Sequence, residues 1–360
     1  MDPDDLLRLQ AVQETKPDSF TIAKNDTHDS QLVAKAFSDP DTWEQRALLR
    51  GLDEIVDLLL PVEDALPPYR AVFSPHDNPN LLSDYYVKKA TLDAAAAGEC
   101  MLFYPKIKSL EPSCLMCLSD VDISRLPPIK HLGFASACGP GTPGRPVEYP
   151  INQYVRPPPR TEKTFIHDHR LSMDPCRHPY IFYHHAQYVS HDLGPAPQPT
   201  MIAQFSYCST PLYHDIQPPT FISWTEDILP RENDPEWGDK TDERLLWRGS
   251  NTGINHNDGT RWRYSQRMHL VSLASELTGT ANVLMPRSEK GVGSAGSGME
   301  MKKSLLNPAT MDIAFTGKPI GCDPKYCDFL ETQFEWRKVQ DAHGKEAGNH
   351  KYIIDVRGCR

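Results

Sequence analysis

The spacing of apolar residues predicts alternating helices and strands in the first hundred residues. Between residues 43 and 60, apolar side chains recur at three- and four-residue steps and stop at Pro61, which predicts an amphipathic helix. The apolar run Tyr69–Ser74 lies between two prolines and predicts a strand that ends in a turn containing Asp77. Residues 84–99 carry an alanine run followed by a glycine, and they predict a second helix.

The last third of the chain alternates between strand and helix patterns. Strands are predicted at Leu245–Arg248, Asp312–Thr316 and Tyr352–Val356. Helices are predicted at Arg261–Leu277 and from the N-cap residue Asp323 to about Ala342. Strands and helices in this order are typical of a parallel sheet with crossover helices, so we expect an α/β fold.

Proline is concentrated in the middle of the chain. Of the 33 prolines, 21 lie between Pro105 and Pro235. Each proline disfavours helix at the residue before it, so the region from 105 to 235 is expected to consist of loops and short segments. Within it, the runs Tyr180–Tyr183 and Met201–Tyr207 predict two short strands.

Composition and charge exclude several classes of protein. A length of 360 residues allows one large domain or two ordinary ones and is ample for a hydrophobic core. The net charge of -10 and the pI of about 5.8 argue against a general binder of nucleic acid or of anionic membranes, since both need a basic surface. No run of ~18 apolar residues is present to span a membrane. The acidic N-terminus lacks the apolar segment of a secretory signal.

The cysteines leave a zinc site and disulfides open as alternatives. A zinc site would have to be assembled at irregular spacing from Cys114, Cys117, Cys138 and Cys176. Buried or disulfide-linked cysteines are therefore favoured over zinc. Cys322 and Cys327 flank the start of the predicted C-terminal helix, where a local disulfide is expected if the protein is secretory.

Two further segments match known motifs incompletely. Six of the 14 histidines lie between His167 and His191, but no H-E-x-x-H spacing places two metal ligands on one helix face, so a polar loop is favoured over a metal site. The segment Gly291–Gly296 matches G-x-G-x-x-G, but no strand directly precedes it. We therefore expect a mobile loop there rather than a dinucleotide site.

The segment Leu245–Gly253 is a candidate for anion binding. The predicted strand brings Arg248 to the carboxyl end of the sheet, where Gly249 allows close approach of a ligand to the backbone. Further donors follow at Ser250, Asn251 and Thr252. The loop leads to a helix N-terminus, which favours a phosphate. The alternative is that Arg248 is satisfied by a carboxylate such as Asp312.

The turn after the strand at residues 69–74 is a candidate for acid–base chemistry. Asp77 lies between His76 and Asn78 in this turn. A carboxylate at the carboxyl edge of a sheet can act as a general base. The alternative is that Asp77 caps backbone amides, as aspartate in a proline-flanked turn usually does.

Several other motifs follow one another in a fixed order. They are Tyr213-His214-Asp215-Ile216, Leu246–Gly253, Trp262-Arg263, Gln266-Arg267, Asp312–Gly317, Phe334–Arg337 and His350–Val356. In this order they resemble the fungal capsule-associated glycosyltransferases of glycosyltransferase family 90, which are similar to the animal protein O-glucosyltransferases. The resemblance spans roughly residues 1–358 and is most specific from residue 213 onward.

The resemblance implies a GT-B-type fold, in which two Rossmann-like halves face a cleft. Residues 1–240 would form the acceptor-side half, and residues 241–360 would begin the donor-binding half. The implied reaction is an inverting transfer of xylose or glucose from a UDP-sugar to a hydroxyl of a glycan or protein. The implied location is the secretory pathway, in the lumen of the Golgi or the endoplasmic reticulum.

The resemblance also implies roles for individual residues. Asp77 would be the general base that deprotonates the acceptor hydroxyl. The donor diphosphate would be bound by Arg248, Gly249, Ser250, Thr252 and Arg357. A fixed arginine can supply the charge stabilisation that a metal would otherwise provide. No protein metal ligand is therefore predicted, and a requirement for a divalent metal is left open.

The chain differs from the family at both ends. It begins inside the family region without a membrane anchor, and it stops after Tyr352–Val356, where members continue with the rest of the donor-binding half. We therefore expect a truncated glycosyltransferase with an impaired donor site. The alternative function is a non-catalytic secreted protein that binds carbohydrate or a metal.

Overall fold

The computed structural model describes residues 3–15, 19–25, 32–36, 43–74, 76, 78–102, 120–122, 126–146, 168–190, 194–218, 234–286, 295–338 and 345–356. They belong to two units, the first drawn from Met1–Pro146 and Leu193–Leu229 and the second from Val147–Asp192 and Pro230–Cys359. Helices combine with parallel strands in both units, so the fold is mixed α/β. The described residues 168–190 belong to the second unit, where Ala186 and Val189 pack into the core. The predicted division at residue 240 stays a prediction.

The first unit is built on a mixed four-stranded sheet. Its elements are α1 (Pro3–Glu14), β1 (Phe20–Lys24), β2 (Leu32–Ala36), α2 (Trp43–Leu59), β3 (Tyr69–Ser74), α3 (Tyr85–Ala97), β4 (Cys100–Leu102), β5 (Asp120–Asp122) and β6 (Gln204–Ser206). The strand order is β2-β1-β3-β6. β1 is antiparallel to β2 and β3, whereas β3 is parallel to β6. The helix predicted between residues 43 and 60 is confirmed as α2, and the strand predicted at Tyr69–Ser74 is confirmed as β3.

Stacked aromatic rings fill one face of this sheet. Phe20 stacks on Phe73 with ring centroids 5.0 Å apart, and Phe73 stacks on Phe205 at 4.9 Å. These three residues come from β1, β3 and β6, and the buried Ile55 of α2 belongs to the same cluster. The alternation of apolar residues in β1 and the periodicity of α2 thus bury one continuous core.

α3 has a defined residue at each end, of which the sequence analysis predicted the glycine. The Asp84 carboxylate accepts hydrogen bonds from the backbone amides of Tyr86 and Val87, which have no partner within the first turn of a helix. Gly98 ends the helix with a φ of 72°, in the left-handed region that glycine adopts without a steric penalty.

The second unit is built on an all-parallel four-stranded sheet. Its elements are α4 (His169–Ser172), α5 (Ala186–Val189), β7 (Asp242–Gly249), α6 (Gln266–Ser275), β8 (Thr280–Pro286), β9 (Ala295–Lys302), α7 (Lys303–Thr310), β10 (Met311–Thr316), α8 (Pro324–Gln333), β11 (Trp336–Arg337), α9 (Lys345–Asn349) and β12 (His350–Ile353). The strand order is β11-β10-β7-β12. β8 and β9 form a separate antiparallel hairpin between α6 and α7.

The strand order of this sheet contains a reversal. The chain extends from β7 to β10 and β11 on one side, and then returns to place β12 on the other side of β7. In open α/β sheets, ligands bind outside the carboxyl ends of the strands at the point where the order reverses. That point lies between Gly249 at the end of β7 and Ile353 at the end of β12.

The two faces of the parallel sheet differ in chemistry. Trp247, Ile313 and Phe315 lie on one face and pack against α6 and α8, where Val271 and Leu330 are buried. Trp247 contacts Phe315 edge to face, with ring centroids 5.9 Å apart. The alternate residues of β7 and β10 point to the opposite face and include several charged side chains, so the sheet separates an apolar core from a polar layer.

Several predicted elements in this unit differ from the structure. The strand predicted at Tyr352–Val356 is β12 (His350–Ile353), and the helix predicted at Arg261–Leu277 is α6 (Gln266–Ser275). Residues Pro179–Tyr183 form a 3₁₀ helix instead of the strand predicted at Tyr180–Tyr183, because Pro179 favours a first helical turn and the following apolar residues are buried without alternation. α8 ends at Gln333 rather than near residue 342, because Trp336 and Arg337 pair with β10 as strand β11.

Replacing Phe315 by alanine is expected to destabilise the second unit. Its ring is fully buried and contacts Trp247, Phe334 and Trp336, so truncation leaves a cavity that is expected to cost ~3–5 kcal/mol. Chemical denaturation followed by tryptophan fluorescence measures the change. Leu305→Ala is the control, because this side chain of α7 is 68% exposed. Equal losses of stability in the two variants would contradict the assignment of Phe315 to the core.

Candidate functional site

The loop after β7 starts with a glycine that is needed for packing. A Cβ atom on Gly249 would lie 2.7 Å from the Trp247 side chain, closer than real Cβ atoms approach. The sequence predicts that a ligand closely approaches the backbone of Gly249. In the structure it is the indole ring of Trp247, on the same strand, that lies close to Gly249. Gly253 then turns the chain with a φ of 97°. The predicted contact of Gly249 with a diphosphate stays a prediction.

Arg267, near the start of α6, joins the two segments that border the reversal point. Its Nη1 donates to the carbonyl oxygens of Ser250 and Thr252 at 3.1 and 3.2 Å, and to the Thr252 hydroxyl at 2.9 Å. Its Nε donates to the carbonyl oxygen of Val356, which follows β12, at 3.4 Å. A guanidinium therefore lies where the loops after β7 and β12 meet.

The hydroxyls of the loop lie beside this guanidinium. Ser250 Oγ and Thr252 Oγ1 are 2.6 Å apart on the exposed side of the loop. A guanidinium with two neighbouring hydroxyls is a donor set suited to an anion. Two of the predicted site residues, Ser250 and Thr252, are thus brought together, and Arg267 is a third residue that the sequence interpretation left unassigned. Its signal was present in the Gln266-Arg267 motif.

Arg248 has a different environment from the one predicted for a diphosphate ligand. Its Nη2 donates to a carboxylate oxygen of Asp312 at 2.8 Å, and its Nη1 donates to the backbone carbonyls of Trp247 and Asp312. The two side chains are 3% and 5% exposed. The structure therefore shows the alternative, an arginine satisfied by Asp312, because β7 directs this side chain along the polar face of the sheet. Diphosphate binding by Arg248 stays a prediction.

Asp312 is the centre of a larger cluster of charges. His350 Nε2 lies 3.1 Å from Asp312 and 3.2 Å from Asp242, and the possible ligand atoms of these three residues lie within 4.8 Å of one another. Arg244 contacts both carboxylates, and Arg337 lies 3.6 Å from Asp312. Three arginines already neutralise the two carboxylates, so a dication would have to displace them. The group fits a buried ion-pair network better than a metal centre.

The arginines determine the ionisation of both carboxyl groups. Burial acts to raise the pKa of Asp312, but the hydrogen bond and charge of Arg248, with the charges of Arg337 and Arg244, hold that pKa below its usual value. The hydrogen bond from Arg244 likewise lowers the pKa of Asp242. Both groups are therefore charged at neutral pH. Because the pKa values are lowered in the folded state, their stabilising contribution is present above the pKa of the unfolded chain and is lost as the pH falls through the folded pKa.

Asp312→Asn is expected to destabilise the protein at neutral pH and progressively less in acid. Loss of the carboxylate leaves the buried Arg248 without its counter-charge, which is expected to cost ~3–5 kcal/mol. Below pH ~4, where unfolded carboxyl groups protonate, the difference from wild type should narrow. Denaturant unfolding at a series of pH values measures this difference. Asp328→Asn, at an exposed position of α8, serves as the control. A difference that is independent of pH would show that Asp312 does not act through its charge.

The predicted base Asp77 and the predicted ligand Arg357 lie outside the described residues. The backbone that follows Asp77 is described, and it is held by Asp215. The buried Asp215 carboxylate accepts hydrogen bonds from the amides of Asn80 and Leu81 and, at 2.6 Å, from the Ser206 hydroxyl. Burial raises the pKa of Asp215, and the hydrogen bonds oppose that rise. Asp215 thus connects the loop after β3 to β6.

His214 supports the same loop. Its Nδ1 lies 3.0 Å from the Ser83 hydroxyl, and its Nε2 accepts a hydrogen bond from the backbone amide of Ile202. Burial, with the charge of Lys88, lowers the pKa of His214 to about 4, so the ring is neutral at pH 7. Because Nε2 accepts, the proton lies on Nδ1. His214 and Asp215 belong to the Tyr213–Ile216 motif, which therefore has a structural role beside β3.

The structure decides several of the cysteine alternatives. The predicted local disulfide between Cys322 and Cys327 is confirmed. Cys138 and Cys176 are each in a disulfide, so neither sulfur is a zinc thiolate. Cys114 and Cys117 lie outside the described residues.

Among the described histidines, only His350 belongs to a group of three possible metal ligands. Gly291–Ser294 lie outside the described residues, and the rest of the glycine-rich segment begins strand β9 instead of the predicted loop.

No family model matches the chain, and neither a curated protein nor a solved structure matches it significantly. The resemblance to glycosyltransferase family 90 therefore stays a prediction that rests on the ordered motifs. Within the described ranges, no helix combines the length and the apolar character that crossing a membrane requires.

Proposed function

We propose that this chain is a UDP-sugar-dependent glycosyltransferase of the GT-B type that transfers xylose or glucose, with inversion, to a hydroxyl of a glycan or protein. The observation that carries the proposal is the position of Ser250–Thr252, which follows β7 at the reversal point of an all-parallel sheet. Nucleotide diphosphates bind at such positions in α/β sheets. The ordered motifs of glycosyltransferase family 90 support glycosyl transfer as the reaction.

The arginine and hydroxyls of the β7 loop are suited to the leaving group of this reaction. When the bond between the sugar and the diphosphate breaks, the electron pair and the negative charge remain on UDP. The Arg267 guanidinium, held between the carbonyls of Ser250 and Val356, would stabilise that charge without reorganisation. The hydroxyls of Ser250 and Thr252 add donors. Arg357 is the next residue in the chain after Val356, which supports the predicted second cation at this edge.

The acceptor must lose a proton as its oxygen attacks the anomeric carbon. In this proposal the Asp77 carboxylate takes that proton, the new C–O bond forms on the face opposite the diphosphate, and the configuration inverts. The anchoring of Asn80 and Leu81 by Asp215 supports a defined backbone on the C-terminal side of Asp77.

The disulfides support a location in the secretory pathway. Cys322–Cys327 is bonded, and Cys138 and Cys176 are each in a disulfide. Disulfides persist in oxidising compartments and are rare in reducing ones. A lumenal location would bring the enzyme together with nucleotide sugars and with hydroxyl acceptors on glycans or proteins.

Arg267→Ala is expected to weaken the binding of UDP. Loss of a charge-assisted contact to phosphate should raise the UDP dissociation constant about tenfold or more, and Arg267→Lys should restore part of the affinity. Isothermal calorimetry at low salt measures both values. Arg263→Ala is the control for the loss of one arginine charge, because the Arg263 guanidinium lies over the Trp262 ring, 4.4 Å from its centroid. If the wild-type chain binds no UDP, the proposed donor class is wrong.

Asp77→Asn is expected to abolish transfer while UDP binding is retained. Removal of a general base lowers turnover by ~10²–10⁴-fold, but it takes no contact away from the diphosphate. Release of UDP from UDP-xylose and from UDP-glucose, with a hydroxyl acceptor present, measures turnover. Asp93→Asn, at an exposed position of α3, is the control for a simple change of charge. Wild-type turnover in Asp77→Asn would refute the assigned base.

A further inference from the structure

Asn251, between the two hydroxyl residues of the β7 loop, points in the opposite direction from them. Asn251 is only 2% exposed, whereas Thr252 is exposed. The Asn251 amide makes two hydrogen bonds with one residue of the loop after β10. Its Nδ2 donates to the carbonyl oxygen of Ile320 at 2.7 Å, and its Oδ1 accepts from the Ile320 amide at 3.1 Å. The Asn251 side chain thus satisfies both the backbone amide and the backbone carbonyl of Ile320.

A second contact joins the same two loops five residues further along. The His256 amide donates to the carbonyl oxygen of Gly321 at 2.8 Å, and the Asp323 amide donates to the carbonyl oxygen of His256 at 3.0 Å. These bonds form a parallel bridge between His256 and Cys322. The segment from Asn251 to His256 is therefore attached at both ends to the segment from Ile320 to Asp323.

The receiving segment is itself covalently fixed. Cys322 is bonded to Cys327 in the first turns of α8, so the backbone next to Ile320 and Gly321 is tied to a helix whose Leu330 is buried in the core. The connection therefore runs from the core through α8 and the disulfide to Ile320, and from there to Asn251. Rotation of the Asn251 side chain would require that two partly buried hydrogen bonds break, which is unfavourable because the Asn251 amide is itself buried.

The attachment of Asn251 to Ile320 limits the movement of the two hydroxyl residues on either side of it. Because Ser250 and Thr252 flank an anchored residue, their side chains are held on the exposed side, 2.6 Å apart and next to Arg267. Arg267 also holds the carbonyls of Ser250 and Thr252, so without the Asn251 anchor the loop would be attached on one side only and the hydroxyls would lose their common direction. Preorganised donors bind an anion more tightly than donors that must first be ordered.

We propose that Asn251 is a positioning residue for the donor diphosphate, and that the Cys322–Cys327 disulfide holds the backbone to which Asn251 is attached. This inference rests on the proposed function. Asn251 itself faces away from the exposed side of the loop and makes no direct contact with the donor in this arrangement. Its effect falls on the phosphate-binding part of the ligand and not on the nucleoside.

The test compares two ligands that differ only in the diphosphate. Dissociation constants for UDP and for uridine are measured by calorimetry on the wild-type chain, on Asn251→Ala and on Asn255→Ala, an exposed residue of the same loop that serves as the matched control. A Cys322→Ala/Cys327→Ala double variant tests the disulfide. We expect the UDP dissociation constant to rise about tenfold in Asn251→Ala, which corresponds to ~1.4 kcal/mol, and several-fold in the cysteine variant. Uridine affinity and the Asn255→Ala values should stay within about twofold of wild type.

Hydrogen exchange supplies a readout that does not depend on the ligand. The amides of residues 250–256 and 320–323 should exchange faster in Asn251→Ala, while the amides of β7 and β10 keep their protection. Unchanged exchange in these loops would overturn the anchoring. Unchanged UDP affinity in a folded Asn251→Ala, or equal losses for UDP and uridine, would overturn the positioning role alone. A wild-type chain that binds no UDP would overturn the proposed function and this inference with it.

Discussion

The central position of β7 constrains most of the second unit. This strand is paired with β10 on one side and β12 on the other, so its backbone groups are used by the sheet and its two faces must serve different neighbours. Trp247 enters the apolar core on one face, and Arg248 enters the polar layer on the other. The backbone of β7 is thus occupied by strand pairing, and the loop that begins beyond Gly249 is the part of this segment that lies at the edge of the sheet.

The buried ion pair between Arg248 and Asp312 follows from this arrangement. A guanidinium on a covered face of the sheet requires a counter-charge, and Asp312 supplies it from the neighbouring strand, with Arg244, Arg337 and His350 around it. This network stabilises the sheet and holds Arg248 in its interior, so in the proposed function anion binding would fall to another arginine. Arg267 can take that role because a helix and not a strand carries it, so its side chain reaches the edge where the loops after β7 and β12 meet.

Local patterns were sufficient to predict the elements that depend on local chemistry. The period of α2, the Gly98 end of α3, the strand at Tyr69–Ser74 and the close disulfide after β10 all follow from residues near one another in the sequence. The prediction failed where a distant partner decides the outcome. α8 ends and β11 begins because Trp336 pairs with strand β10. No residue near position 336 in the sequence indicates this pairing.

The sequence by itself determined the α/β class, the parallel arrangement expected from alternating strands and helices, and the loop of small polar residues after Gly249. Tertiary structure decided which side of the sheet each residue of that segment faces. Arg248 is paired in the interior, Ser250 and Thr252 point outward, and Asn251 is attached to Ile320. The physical reason is that a side chain's role depends on the charges and backbone groups within about 3–4 Å of it. Strand pairing brings these groups together from positions some seventy residues apart, and no local pattern in the sequence records them.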